Sequence, residues 1–272
     1  MSELAAASGA GPDTLPDDEF YVGYLPMPAG HKRFLRRVVV TLGLGILALA
    51  GALGWFQRDP APNAPYHGDS KNVRELSGML YTAPYGVLRV PGEGEGQPAR
   101  TLLLTTGSKR GVADLVAGMD GRAVTMRGTL RGRSGRYVLA MDTRFGFAEA
   151  GLDEAARAQL ARPAAEPVGA GPVRLRGEII DPKCFTGAMK PGDGKAHKAC
   201  AINCLRGGIP PVFATRTADG DEAFYLLVDE RGGPILQPLL PWVGDPVELR
   251  GSLYQQADIT LLRVLPDSIR RL

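Results

Sequence analysis

The sequence predicts a mainly β protein, with a single N-terminal transmembrane helix followed by two tandem OB-like β-barrels. Three observations support this prediction: an uncharged apolar run near the N-terminus, a series of short β-like segments bounded by Gly and Pro, and an internal repeat. The 272 residues are 44% hydrophobic and 22% charged, which excludes wholesale disorder. The 36 Gly and 22 Pro favour many short elements joined by turns over a long helical bundle.

The first element is a predicted transmembrane anchor at residues 37–57. Within it, 19 consecutive residues from Val38 to Phe56 carry no charge. As a helix this run would be about 28 Å long, close to the roughly 30 Å of a bilayer core. A cleaved signal peptide is the alternative, because Ala48, Ala50 and Ala52 are small enough for a peptidase. The run is longer than the usual signal segment, which favours a retained anchor.

The charges around this run predict its orientation. The basic side is made up of His31, Lys32, Arg33, Arg36 and Arg37. On the far side, Arg58 is balanced by Asp59. The positive-inside rule therefore predicts a bacterial inner-membrane protein, with residues 1–36 as a cytoplasmic tail and the chain after about residue 58 in the periplasm. Aromatic residues within the tail, at 20–25, could lie at the headgroups or dock to a neighbouring membrane protein.

Beyond a Pro-rich linker at 58–72, residues 73–146 are predicted to form the first OB-like domain. It contains five segments of β-branched or alternating apolar residues: Ser77–Tyr81, Val87–Val90, Thr101–Thr106, Ala123–Leu130 and Arg136–Met141. Five strands in about 70 residues are typical of a small barrel. A spacer at 147–171, whose middle could form one short helix, separates this domain from a second OB-like domain at 172–272.

Similar segments in the two domains support a duplication. Val124–Leu130 and Val247–Leu253 both read Val, polar, apolar, Arg, Gly, hydroxyl, Leu, and Leu76–Gly78 parallels Leu175–Gly177. The internal Gly of each repeated strand is typical of a barrel corner or a β-bulge. The second copy is longer by about 24 residues, nearly all of them between Ile180 and Val212. Because the first barrel lacks such a segment, a function is the better explanation for it.

The inserted segment, residues 181–211, contains every cysteine of the chain. Asp193 is a predicted N-cap, and Gly207-Gly208 followed by two prolines would end a helix of about three turns. Three candidate metal ligands lie on one face of this helix, within an arc of about 60°: His197, Cys200 and Cys204. The fourth, Cys184, lies at the end of the preceding strand.

Two interpretations of these residues stay open. Cys200 and Cys204 should not bridge each other, because residues four apart on a helix hold their Cβ atoms about 5 to 6 Å apart and a disulfide needs roughly 3.5 to 4.5 Å. A disulfide from Cys184 to one of them would clasp the insertion to the barrel. Alternatively, the three thiolates and His197 form a Cys3His site suited to tetrahedral zinc, to copper(I) or, less well, to an iron-sulfur cluster, with nearby lysines favouring thiolates.

The order of these residues carries a family resemblance. Asp-x-Lys-Cys, a Gly/Lys-rich spacer and His-Lys-Ala-Cys-Ala-x-x-Cys-x-x-Gly-Gly-x-Pro resemble a pattern in small, uncharacterised exported bacterial OB-like domains. The resemblance covers about residues 173–265. It implies an exported β-barrel whose Cys/His segment is the distinguishing feature, and it implies no particular reaction or metal.

We expect a membrane-anchored periplasmic accessory or assembly subunit of a redox membrane complex, in which the Cys/His segment is a metal site or a disulfide clasp. The alternatives are a periplasmic copper- or zinc-binding protein and a thiol-disulfide exchange protein, with Cys200 or Cys204 as nucleophile and His197 as base. No orienting acid for that histidine is recognisable from the spacing, so no catalytic residue is predicted. A net charge of +3 and 7% aromatic residues do not indicate a nucleic-acid partner.

Overall fold

The computed structural model describes residues 27–56, 66–67, 73–92, 94, 96–217 and 219–272. The chain divides into two compact units, Met1–Pro60 and Ala61–Leu272. The first contains helix α1 (Ala29–Phe56), which is long and apolar enough to cross a membrane, with a mean hydropathy of 2.1 in its apolar window. The aromatic cluster of the predicted tail and most of the predicted linker lie outside the described residues.

Helix α1 begins at Ala29, earlier than the predicted anchor at residue 37. The N–H of Lys32 donates to the carbonyl of Pro28 at 2.9 Å and closes the first helical turn. Lys and Arg have high helix propensity, so the basic residues before the apolar run continue the helix instead of ending it. The helix is therefore longer than its apolar part, and only the apolar part is suited to the bilayer core.

The first barrel is closed and five-stranded, as predicted. The strands in this part of the chain are β1 (Tyr66–His67), β2 (Val73–Tyr81), β3 (Val87–Val90), β4 (Arg100–Thr106), β5 (Arg122–Arg133), β6 (Arg136–Met141) and β7 (Phe147–Glu149). The barrel runs β2-β3-β4-β6-β5 and closes from β5 back to β2. Strands β4 and β6 are parallel, and the other neighbours in the barrel are antiparallel. Strands β1 and β7 add to β5.

The second barrel has the same topology. Its strands are β8 (Glu166–Ile180), β9 (Val212–Arg216), β10 (Glu222–Val228), β11 (Pro246–Gln256) and β12 (Ile259–Arg271). They run β8-β9-β10-β12-β11 around a closed barrel, with β10 and β12 parallel. The five strands therefore correspond one to one with β2 to β6, which confirms two tandem OB-like barrels.

The repeated glycines mark equivalent close crossings of strands. A Cβ atom at Gly78 in the first barrel, or at Gly177 in the second, would overlap a carbonyl oxygen of the next strand. A Cβ atom at Gly128 or Gly251 would meet a carbonyl oxygen of the last strand of its barrel. The prediction that these glycines allow tight coiling is confirmed, since no side chain fits at either crossing.

The connection between the barrels is more regular than the sequence predicts. Helix α2 (Glu154–Gln159) occupies the middle of the predicted spacer, and β8 already begins at Glu166. Its first residues are rich in Gly and Pro, which hides the strand from pattern analysis. A register shift in β11 between Gly251 and Leu253 accommodates this irregular stretch, so that Val168 pairs with Leu253.

The two barrels pack directly against each other. Val87 and Leu103 of the first barrel share one buried apolar cluster with Phe185 and Phe224 of the second. Polar contacts cross the same interface. The hydroxyl of Tyr85 donates to the carbonyl of Leu227 at 3.0 Å and accepts the N–H of Ile235 at 3.0 Å.

Asp258 of the second barrel is a further link between the barrels. Its carboxylate accepts the backbone N–H of Thr101 at 2.8 Å and forms an ion pair with Arg89 at 3.3 Å. Arg136 donates to the carbonyl of Asp258 at 2.8 Å. Apolar burial, charge pairing and backbone hydrogen bonds therefore hold the barrels in one fixed arrangement.

Tyr85→Phe tests how much the interface contributes to stability. Burial raises the pKa of Tyr85 to about 12, from an ordinary 10.0. The Tyr85 hydroxyl therefore loses its proton at a lower pH in the unfolded chain than in the folded one. Its contribution to the free energy of unfolding is full below pH 10 and is lost as the pH rises towards about 12. The free energy of unfolding of the variant should be lower by about 1 to 3 kcal/mol at neutral pH, because Leu227 and Ile235 lose their hydrogen-bond partner. Without the hydroxyl, the variant should not show the further fall in stability above pH 10.

The measurement is urea unfolding at neutral pH and above about pH 10. Tyr225→Phe is the control, because the Tyr225 hydroxyl makes no hydrogen bond within the described residues. Equal stability of Tyr85→Phe and the wild type at both pH values would contradict the role given to this hydroxyl.

Candidate metal centre

Three thiols come together in the segment that joins β8 to β9. The Sγ atoms of Cys184, Cys200 and Cys204 all lie within 4.8 Å of one another. Cys184 and Cys204 are buried, Cys200 is partly exposed, and all three are free thiols. Tetrahedral ligands about 2.3 Å from a zinc ion lie about 3.8 Å apart, so the sulfurs need only small movements to surround one ion.

The local sequence explains how Cys184 reaches this position. After β8 the chain forms a π-helical turn at Cys184–Ala188, in which Gly187 has a left-handed φ of 110° that a side chain would strain. The Thr186 hydroxyl donates to the carbonyl of Pro182 at 2.9 Å and stabilises the turn. A Cβ atom at Gly192 would overlap the carbonyl of Cys184. The Gly-rich spacer is thus needed for the chain to fold back over the turn.

Helix α3 (Gly194–Arg206) supplies the other two sulfurs and has the bounds that the sequence predicts. Asp193 precedes it but makes no capping hydrogen bond. The N–H of Gly194 donates instead to the carboxylate of Glu178 on β8, at 2.7 Å. Burial raises the pKa of Glu178, and this hydrogen bond opposes the effect. The start of α3 is therefore attached to the barrel wall.

His197 lies beside a buried carboxylate that sequence reasoning missed. Its Nε2 is 3.0 Å from Oδ2 of Asp181, whose Oδ1 accepts the backbone N–H of Cys184 at 2.9 Å. The side chains of His197 and Asp181 are 4% and 0% exposed. No orienting acid for His197 is recognisable from the sequence spacing, and the structure supplies one in Asp181. The spacing of Asp181 and Cys184 indicates only the turn, because an Asp three residues before a turn residue commonly accepts its N–H, and it does not indicate the contact with His197.

His197 belongs to a second group of candidate ligands. Asp181, Cys184 and His197 have ligand atoms within 4.8 Å of one another, and this group shares Cys184 with the three thiols. His197 and Cys204 are seven positions apart, which is about 10 Å along a helix axis. A shared helical face therefore does not bring His197 to all three sulfurs. Its role as a fourth ligand stays a prediction, as does a disulfide from Cys184.

The first barrel also reaches the site. Its loop after β4 places Nζ of Lys109 3.2 Å from Sγ of Cys200. Lys183, next to Cys184 in the chain, is buried, and its ammonium group donates to the carbonyls of Thr106 and Ser108 on the same loop. Two cations thus flank the sulfurs and favour thiolates there.

The two buried thiols differ in acidity. A hydrogen bond from Cys184 lowers the pKa of the Cys204 thiol against the effect of burial, and the charges of Lys183 and Lys109 lower it further. The same hydrogen bond, burial and the charge of Asp181 raise the pKa of Cys184. The hydrogen bond to Cys200 raises the pKa of Lys109. Without a metal, Cys204 therefore ionises before Cys184.

The Gly pair after α3 forms the contact with the first barrel. Gly208 has a left-handed φ of 91°, which ends the helix as predicted. Cβ atoms at Gly207 and Gly111 would overlap the carbonyls of Lys109 and Gly208, respectively. The N–H of Gly111 donates to the carbonyl of Gly207 at 2.9 Å. The backbone of Gly207 and Gly208 therefore packs directly against the backbone of the first-barrel loop, beside the thiols. The sequence rules for helix ends predict that these glycines end α3, but they do not predict this contact.

The comparisons with known proteins give no match, either to a family model or to a curated protein. The resemblance to exported OB-like domains, which the Cys/His pattern carries, stays a prediction.

Gly207→Ala tests the backbone contact between α3 and the first barrel. The added Cβ must push the Lys109 loop away, so we expect the free energy of unfolding to fall by about 1 to 3 kcal/mol. Gly107→Ala is the matched control on the same loop, because a Cβ there meets nothing within 4 Å. Chemical denaturation measures both. Equal stabilities of the two variants would show that the contact is not tight.

Asp181→Ala tests the buried carboxylate. It leaves the His197 ring and the Cys184 N–H without their partner, so a loss of about 3 to 5 kcal/mol is expected. Asp193→Ala, in the same segment, should cost less than about 1 kcal/mol, because that side chain caps nothing and makes only a partly exposed ion pair with Arg133, at 3.9 Å. Urea unfolding of both variants checks this. Equal losses would contradict the central place of Asp181.

Proposed function

We propose that this protein is a membrane-anchored accessory protein whose clustered thiols bind one soft metal ion, copper(I) or zinc. The observation that carries the proposal is the proximity of three sulfurs, on Cys184, Cys200 and Cys204, all within 4.8 Å of one another. Thiolates are the protein ligands that select copper(I) and zinc. One ion in the middle of the cluster would use every cysteine of the chain.

The surroundings of the cluster favour a metal over a disulfide clasp. A disulfide joins two sulfurs and gives no reason for a third at the same place. Lys109 and Lys183 offset the negative charge that thiolate ligands bring to a site. The first barrel joins its corresponding strands through residues 82–86 alone, so the barrel fold does not require the thiol-bearing segment.

Helix α1 supports a place at a membrane. The basic residues before its apolar part favour a cytoplasmic N-terminus and periplasmic barrels in a bacterial inner membrane. Copper bound by thiolates in that compartment would serve a redox complex of the same membrane, and the protein would act as its accessory or assembly subunit. The convergence of all three thiols is consistent with a protein that holds a metal ion for such a complex.

A second candidate, thiol-disulfide exchange, is supported by the pairing of His197 with Asp181 beside Cys184. A base oriented by a carboxylate next to a thiol is a common arrangement for cysteine nucleophiles. A thiolate would attack a disulfide substrate and release one substrate thiol, and a neighbouring protein thiol would then resolve the mixed disulfide, releasing the second substrate thiol and leaving the two protein sulfurs joined as a disulfide. Burial of Cys184 and its raised pKa oppose this role.

Metal analysis tests the proposed function. The full chain, reduced in detergent micelles, should bind one copper(I) or zinc ion, and Cys204→Ser should weaken binding by about a hundredfold or more, because it removes a buried thiolate ligand. His197→Gln should keep one ion per chain, because the histidine lies outside the thiol cluster. Elemental analysis and competition with a chelator measure both.

Three free thiols without a bound ion would contradict the metal function. Turnover of a model disulfide by the metal-free chain, lost in both Cys204→Ser and His197→Gln, would favour the second candidate instead.

A further inference from the structure

The three sulfurs of the cluster differ in their access to solvent. Cys184 and Cys204 are 2% and 0% exposed and pack with Ile209 in one apolar cluster. Cys200 is partly exposed, and Lys109, which donates to its sulfur at 3.2 Å, lies at the surface. An ion held by all three sulfurs would have two ligands inside the protein and one at its edge.

Within the described part of the chain, no fourth ligand atom accompanies the three sulfurs. Among the residues that the structure describes, no other Cys, His, Asp or Glu has a ligand atom within 4.8 Å of all three sulfurs. His197 is engaged by Asp181 in the interior. Structural zinc sites are closed by four protein ligands, whereas sites that react keep one position open. Copper(I) is stable with two or three thiolates, so it tolerates both the open position and the loss of one ligand.

An open cavity of about 770 Å³ lies between the first-barrel loop and the end of α3. Its lining includes Ser108 and Arg110, on either side of Lys109 in the chain, and Arg206 at the end of α3. Asp114 and Asp142 also line it. None of the three cysteines lines this cavity, so Lys109, which contacts Cys200, is the exposed cation beside the thiols, and it favours an incoming ligand that is small and anionic.

We infer that the centre is an exchange site for copper(I), at which the ion passes between the buried thiolates and an anionic thiol carrier through Cys200. The inference rests on the proposed metal-binding function. The carrier thiolate coordinates the ion at the open position, and the bond from the ion to Sγ of Cys200 then breaks. Cys200 leaves as a thiolate that accepts a hydrogen bond from Lys109. Copper(I) keeps its oxidation state, and the proton of the carrier thiol goes to solvent.

Alkylation of the wild-type chain tests which sulfur leaves. The full chain in detergent micelles is loaded with one equivalent of copper(I) without oxygen, mixed with glutathione and treated with iodoacetamide. Mass spectrometry gives the alkylation rate of each cysteine, divided by its rate in the metal-free chain. We expect glutathione to raise this ratio for Cys200 about tenfold more than for Cys184 and Cys204, while copper stays bound.

The possible outcomes separate the two claims. Equal rises at all three cysteines, or no rise at Cys200 before copper is lost, would overturn the exchange role and leave the metal function standing. Tight binding of zinc without binding of copper(I) would do the same. A chain that takes up neither ion would overturn the metal function, and the inference would fail with it.

Lys109→Met tests the part given to the surface lysine. We expect copper transfer to glutathione to slow about tenfold, because the lysine attracts the incoming thiolate and stabilises the leaving one. Lys195→Met is the matched control, since it removes an exposed cation from α3. Transfer at the wild-type rate in Lys109→Met, or equal slowing in both variants, would overturn this role.

Discussion

A single buried carboxylate holds together the two segments that carry the thiols. Asp181 accepts the N–H of Cys184 at the start of the π-helical turn and bonds to His197 on α3. In the interior, an unpaired donor or acceptor would cost about 1 to 3 kcal/mol, so both bonds persist in the folded state. The turn and the helix are therefore fixed relative to each other, and Cys184 is held beside Cys204 in the folded chain.

The first barrel packs against the thiol-bearing segment from a second side. The Lys109 loop lies against Gly207, and Arg133 of β5 stacks on the ring of Phe185 at 3.9 Å and donates to its carbonyl at 3.2 Å. Arg133 also forms a bidentate pair with Glu222, at 2.9 and 2.6 Å. The first barrel thus supplies packing and charge to a site whose sulfurs all belong to the second.

Local patterns in the sequence predicted much of this fold. Alternating apolar residues and Gly boundaries located the barrel strands, and the Gly pair located the end of α3. The contact of His197 with Asp181 was not predictable, because it joins residues that are distant along the chain and depends on how the turn folds. Helical angle alone grouped His197 with Cys204, although the rise along the helix separates them. The start of β8 was hidden because its Gly and Pro residues resemble a linker.

The central claim is that three sulfurs surround one ion, and X-ray absorption at the metal edge tests it most directly. The spectrum of the loaded full chain should show a shell of three sulfur atoms at about 2.3 Å, with at most one lighter ligand. A shell made mainly of nitrogen or oxygen, or one with a single sulfur atom, would contradict the account.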